Sequence, residues 1–190
     1  MGFQMNEEEI LASAARQFQK SGLKFTMLDV ANDLHIAKKT IYQFYSGKEE
    51  LLTAMLDTGF ARIHARKKEI LDQDISIPEK IQQVMIAMPD SFEVIDFRQL
   101  SDLKEKYPKV YARLRRHLET DWEPVINEIQ KGIDAGVVRN ISIPVLRTMV
   151  TASFETFLST NVLKSEGIQY NDALNQMMDI IMNGIAEDKK

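Results

Sequence analysis

Cysteine is absent from the 190 residues, which removes disulfides, zinc-thiolate sites and thiol nucleophiles and leaves nothing that points to an oxidising compartment. Histidine is nearly as scarce. His35, His64 and His117 are scattered, no H-E-x-x-H pair occurs, and there is neither a phosphate-cradling glycine loop nor a G-x-S-x-G elbow. Carboxylate pairs such as Asp96 and Asp102 arise from helical spacing alone, so the expectation is a protein that is not an enzyme and that needs no cofactor or metal. An all-α enzyme remains the alternative that substrate turnover would reveal. A basic stretch followed by an apolar run is missing at the N-terminus, where Glu7, Glu8 and Glu9 stand instead, against a secretory signal. Long hydrophobic runs are missing too. The segment Val145 to Leu158 is broken by Arg147, Thr151, Ser153 and Glu155, short of the roughly 20 apolar residues a membrane span requires. A cytoplasmic location with no membrane partner is expected.

What the chain does have is a composition 44% hydrophobic, enough for a substantial core. Apolar residues recur at three- and four-residue spacing, with no sustained alternation, which predicts an all-α fold. Asn6 with Glu9, Thr26 with Asp29 and Ser46 with Glu49 have capping-box spacing. They start helices predicted at about 6–20, 27–34 and 48–72, with a further short helix at 38–45 after a turn at 35–37. Pro78, Pro89, Pro108, Gly136 and Gly167 punctuate the remainder, giving helices near 78–87, 90–106, 108–135, 144–164 and 171–186, with Pro124 placed to kink or divide the third. Two domains are expected: residues 1–47, and residues 48–190 entered through the linking helix 48–72.

Charge is unevenly distributed. The chain sums to -4, yet between Arg16 and Lys48 six basic residues (Arg16, Lys20, Lys24, Lys38, Lys39, Lys48) face only Asp29 and Asp33, a net +4 on a body of -8. One positive end on an acidic body suits contact with phosphate. Three short helices in this segment, the last two joined by a tight turn, form the pattern of a helix-turn-helix. The second helix of such a pair lies in the major groove. Its exposed start, Lys38, Lys39 and Thr40, with Gln43 one turn on, offers donors and a methyl to base edges. Thr26, Tyr42 and Lys48 are the candidates for phosphate.

These residues resemble a known family. Thr26-Met27-Leu28-Asp29-Val30-Ala31, Thr40-Ile41-Tyr42 and Lys48-Glu49-Glu50-Leu51-Leu52, preceded by Ala15-Arg16-Gln17-Phe18 and Gly22, are similar to the DNA-binding domain of TetR-type transcriptional regulators over about residues 8–55. The resemblance implies an all-helical homodimer, usually a repressor, with a divergent C-terminal domain that binds a small molecule and releases double-stranded operator DNA. It also implies phosphate contacts at Tyr42 and Lys48. The chain departs from the family pattern at His35, where Gly is usual at the turn, at Lys39, where a small residue is common, and at Phe44-Tyr45, where a polar residue and then Phe are usual.

In the C-terminal body the last two helices carry more apolar surface than one face needs. A two-fold dimer with four packed helices would cover it, through Leu146, Val150, Phe157 and Leu158 on one helix and Leu174, Met178, Ile181 and Ile185 on the other. Dimerisation duplicates the reading helix for two half-sites of a palindrome. An effector pocket is expected among the central helices, walled by Phe60, Met85, Met88, Phe92 and Phe97, and by Leu100, Tyr111, Trp122, Met149 and Phe154. The basic stretch Arg113, Arg115, Arg116 and His117 is read as a solvated helix face before an anion site. Two alternatives stay open at this stage: a DNA-binding protein with no small-molecule inducer, and a purely structural helical dimer.

Overall fold

The computed structural model describes residues 6–87 and 102–185. The regular elements among them are helices: α1 (Glu7–Ser21), α2 (Met27–Asp33), α3 (Lys38–Ile41), α4 (Lys48–Leu71), α5 (Ile77–Met85), α6 (Leu103–Lys106), α7 (Pro108–Thr120), α8 (Glu123–Asp134), α9 (Ile143–Ser159), α10 (Val162–Ser165) and α11 (Tyr170–Ile185). A 3-10 turn, Gly22–Lys24, follows α1. The all-α fold is therefore as the periodicity predicts, although the helix expected at 90–106 lies mostly outside the described residues.

Local chemistry explains most of the boundaries. Asn6 and Glu9, Thr26 and Asp29, and Ser76 and Glu79 each close a reciprocal capping box, satisfying backbone donors that the first helical turn leaves free. The box expected from Ser46 and Glu49 does not form. Gly47 takes the cap position of α4 without a side chain, so Ser46 lies one residue earlier and its N–H and hydroxyl both donate to Glu50 at 2.7 Å. Pro124 falls in the first turn of α8 and divides the helix expected over 108–135. The helix expected over 144–164 stops at Ser159. There the hydroxyls of Ser159 and Thr160 bond back to the carbonyls of Glu155 and Thr156 and compete with continued helix.

The short second helix of the pair is also tighter than expected. Regular α structure ends at Ile41, and the chain continues through i to i+3 bonds from Gln43 to Thr40 and from Phe44 to Ile41. This 3-10-like winding still turns Ile41 and Tyr45 inward, both almost fully buried. Between α2 and α3, His35 adopts φ 54°. Its N–H donates to the Asn32 carbonyl and that of Ile36 to Ala31, the Schellman closure of α2. Here a histidine does what glycine does at Gly136 and Gly167.

Among the described residues, two hydrophobic clusters form the core. The first joins Ile10, Ala14 and Phe18 of α1 to Phe25, Val30, Ile41, Leu51 and Leu52, and continues into Leu103, Leu114, Leu158 and Leu174. The second gathers Ile81, Val84, Trp122, Ile129, Leu146, Val150 and Met178. Buried polar contacts sharpen the N-terminal packing. Asp33 accepts from the Ser13 hydroxyl at 2.7 Å and from Arg16 at 2.6 Å, and these partners, Ser13 foremost, hold its carboxyl below the ordinary value despite some desolvation. The buried ring of Tyr45 keeps its hydroxyl paired with Glu7 at 2.8 Å, so a tyrosine fits where phenylalanine is usual in the resembling family.

A left-handed backbone costs an ordinary L-residue roughly 1–2 kcal/mol and is worse for a β-branched side chain. His35→Val is accordingly expected to lower unfolding free energy by about 1–2 kcal/mol, read from the urea midpoint, whereas an unchanged midpoint would mean that the turn is not left-handed in solution.

Candidate nucleic-acid interface and effector cavity

The reading face is built by burying one side of a very short helix. Ile41 anchors α3 in the core at 0% exposure, which leaves Lys38 and Lys39 exposed at its start, Thr40 half-buried and Gln43 exposed in the turn that follows. Tyr42 is 44% exposed, with the Lys38 ammonium 5.5 Å from its ring centre. Lys38, Lys39, Tyr42 and Gln43 are thus all on the exposed side of this segment; Leu28 and Phe44 are exposed as well, and neither is among the residues expected from sequence to contact DNA. Thr26 is exposed, but its hydroxyl donates to Asp29 at 2.8 Å and accepts from the Asp29 N–H at 3.2 Å, so its side chain serves α2 first.

Lys48 is placed differently from the expectation of an outward phosphate contact. Its ammonium turns in, donating to the Leu23 carbonyl at 2.7 Å and to that of Phe25. It lies 4.3 Å from the Phe25 ring centre and 5.5 Å from that of Tyr107. Desolvation lowers its pKa, partly offset by Asp29. Lys48 therefore ties the start of α4 to the loop before α2 and to the residue that precedes α7.

Beyond its first turn α4 becomes the wall of a cavity of about 180 Å³. Leu52, Met55, Leu56, Phe60 and Ile63 face it from α4, opposite Val110, Leu114 and Leu118 of α7, with Met85, Trp122, Phe154 and Leu174 completing the enclosure. This explains why Met55, Leu56, Phe60 and Ile63 are only half-buried: they border empty space. Of the pocket residues expected from sequence, Phe60, Met85, Trp122 and Phe154 line the cavity. Tyr111 packs in the core with its hydroxyl on Glu155, Met149 is 58% exposed on the outer side of α9, and Met88, Phe92, Phe97 and Leu100 lie outside the described residues.

Two polar clusters clamp α4 to the body at opposite ends of this space. Asp57 receives Arg113 through two bonds, at 2.8 and 3.1 Å, and His117 at 2.8 Å. Burial would raise its carboxyl, but the bonds from Arg113 and His117 outweigh that and keep it low. The His117 ring stacks on Phe60 at 4.2 Å. Further along, Lys67 donates to the Asp121 carboxylate at 2.7 Å and its carbonyl at 3.1 Å. Part of the basic stretch on α7 is therefore an interhelix clamp rather than a purely solvated face. Spacing on α7 could have suggested it, since Arg113 and His117 are four residues apart and share a face; their partner on α4 could not be read.

Most of the expected dimer residues sit in the chain's own core. Leu146, Val150, Leu158, Leu174, Met178 and Ile185 are all at or below 6% exposure, while Phe157 and Ile181 are intermediate. The apolar side chains left exposed on the same two helices are Val145 and Met149 on α9 and Ile180 on α11. Among the described residues, no cluster of potential metal ligands occurs and no helix is long and apolar enough to cross a membrane.

A short helix laid over a compact three-helix core, offering lysines, glutamine and tyrosine to the outside, defines a helix-turn-helix DNA-binding protein. Residues 10–55 match the family model described as bacterial regulatory proteins, tetR family, so the N-terminal part of the chain carries the helix-turn-helix DNA-binding domain of that family. It is 24% identical over 185 residues to the uncharacterised HTH-type transcriptional regulator YvaF of Bacillus subtilis, spanning 97% of both chains. Over 92 residues, 48% of this chain and 43% of the relative, it is 32% identical to the HTH-type transcriptional repressor KstR2 of Mycolicibacterium smegmatis. The fold extends through the C-terminal body: FadR of Bacillus subtilis, solved in complex with stearoyl-CoA, superposes with a TM-score of 0.67 at 15% identity over 95% of this chain and all of that one. KstR2 of Mycobacterium tuberculosis gives 0.62 at 21% identity, over 97% of this chain and 98% of its own.

Replacing Lys48 by methionine keeps the length of the side chain but loses charged hydrogen bonds worth about 1–2 kcal/mol at a half-buried site. Lys48→Met should lower the urea midpoint accordingly, while Lys38→Ala leaves it unchanged. A null effect of Lys48→Met would return that residue to the role of a free surface cation.

Proposed function

We propose that the protein is a ligand-released repressor that binds a palindromic operator as a homodimer in the cytoplasm, with residues 1–47 as reading head and 48–190 as effector and dimerisation domain. The observation that carries this reading is the double duty of α4. Its first turn is buried in the helix-turn-helix core through Leu51 and Leu52, and its next three turns form a wall of the apolar cavity. An occupant that displaces this wall moves the reading head, because a continuous helix transmits displacement. Only an effector that fits the two positions of α4 unequally can shift DNA affinity. The cavity itself favours this reading over a regulator without an inducer. FadR and KstR2 support it as relatives in fold, the first through its stearoyl-CoA complex and the second through its name as a repressor.

In the DNA-bound state Lys38, Lys39, Thr40 and Gln43 read base edges, and Tyr42, aided by the backbone around Thr26 and Lys48, meets phosphate. The test is selection from a random duplex pool followed by sequencing. A palindrome should emerge, relaxed at particular positions by Lys39→Ala and weakened evenly across sequences by Tyr42→Ala. Failure to enrich any sequence at moderate salt, with or without candidate effectors, would remove the operator-binding role.

The dimer is assigned to the outward face of α9, where Val145, Met149, Ala152 and Thr156 recur at helical spacing without a charge, together with Ile180 of α11. Phe157 and Ile181 border this surface; the other side chains first expected there support it from behind. Met149→Glu places like charges on both sides of a two-fold contact. It should yield a monomer by sedimentation with an unchanged circular dichroism spectrum and strongly reduced operator affinity, whereas a persisting dimer would place the interface elsewhere.

A further inference from the structure

The apolar cavity has one charged wall. Lys67 of α4 is nine-tenths buried, yet it lines the cavity together with its partner Asp121. The same two residues also line a smaller cleft of about 100 Å³ on their other side, completed by His64, Lys68, Leu71 and Pro124. The Lys67–Asp121 pair is thus a partition between an apolar chamber and a cleft rich in positive charge. His64 approaches the same Asp121 oxygen at 3.3 Å, so one carboxylate serves the Lys67 ammonium and an imidazole. Among the described residues that line either space, Asp121 is the sole acid. An ion pair placed in an otherwise apolar wall is costly to desolvate and is weak evidence for a stabilising role. Here it has a second use, because it lies where an amphiphile would change from chain to head group.

We infer that the effector is a single-chain fatty carboxylate whose alkyl chain fills the space between α4 and α7 and whose carboxylate reaches the partition, taking Lys67 from Asp121 and drawing on His64 and Lys68. The inference rests on reading the cavity as the effector site. Shape favours a chain: the lining follows α4 from Leu52 to Lys67, roughly 22 Å at about 1.5 Å per residue, and about 180 Å³ spread along that length suits a slender body. Charge favours an anion, since the cleft has more cations than acids to meet them. The consequence for regulation is direct. Lys67–Asp121 is one of the polar clamps that hold α4 to the body, and a carboxylate that captures Lys67 opens that clamp while leaving Asp57 with Arg113 in place.

The experiment is calorimetric titration of the full-length protein with decanoate and, separately, decanol, repeated along the series from octanoate to hexadecanoate with the matching alcohols. A charge-assisted contact predicts that the carboxylate binds roughly tenfold tighter than the alcohol of equal length. The preference should shrink several-fold in His64→Gln/Lys68→Gln, which alters only the cleft. It should vanish in Lys67→Met/Asp121→Asn, which neutralises both partners together and so leaves no lone buried charge, while alcohol binding is retained in both variants. Equal affinity for acid and alcohol, or a preference that survives both double substitutions, overturns the head-group assignment and leaves the apolar effector site standing. Absence of binding by every acid and every alcohol overturns the effector site itself, and this inference with it.

Discussion

Leu51 and Leu52 in the first turns of α4 are packed among the side chains of α1, α2 and α3, and the following turns of the same helix have a cavity on one side instead of a close-packed neighbour. At 24 residues the helix is about 36 Å long, long enough to belong to two environments and stiff enough to relate them. Everything else in the molecule adjusts to this sharing. Lys48 fixes the near end of α4 against the carbonyls of Leu23 and Phe25, and the Asp57 and Lys67 clusters fix it against α7 and the start of α8.

These polar clamps differ in kind from the apolar contacts around them. A packed leucine is indifferent to small rotations of its neighbour, whereas two bonds between Arg113 and Asp57 demand a particular register of α4 against α7. Arranged at opposite ends of a space that lacks dense packing, such contacts define one position of α4 without making it immovable. The DNA-reading surface inherits that position. Ile41 and Tyr45 carry no information about sequence, but their burial determines which way Lys38, Lys39, Tyr42 and Gln43 point. Specificity therefore depends on core residues as much as on the side chains that touch bases.

Local features were legible from the residues alone. The boxes at Asn6 and Thr26, the proline-led starts of α5, α7 and α8 and the inward positions of α1 to α3 all follow from interactions within a few residues of one another. Even the left-handed histidine was consistent with the turn it occupies. The exceptions came from small displacements in register. One glycine at position 47 moved the Ser46 partner from Glu49 to Glu50, and a tightening of hydrogen bonds ended regular helix at Ile41.

Apolar periodicity marks which side of a helix is hidden and is silent about what hides it. Leu146, Val150, Leu174 and Met178 have the pattern of an interface and are instead covered by the chain's own helices, while Val145, Met149 and Ile180 remain outside. Lys48 has the sequence signature of a surface cation, but carbonyls from residues 23 and 25 positions away in the chain draw it inward. The sequence by itself determined the helices, their caps and the character of the N-terminal domain, because these depend on short-range bonding and on the period of burial. Tertiary structure alone decided the cavity, its two clamps and the outward faces of α9 and α11, since each arises from side chains far apart in sequence that meet only when α4, α7 and the C-terminal helices pack.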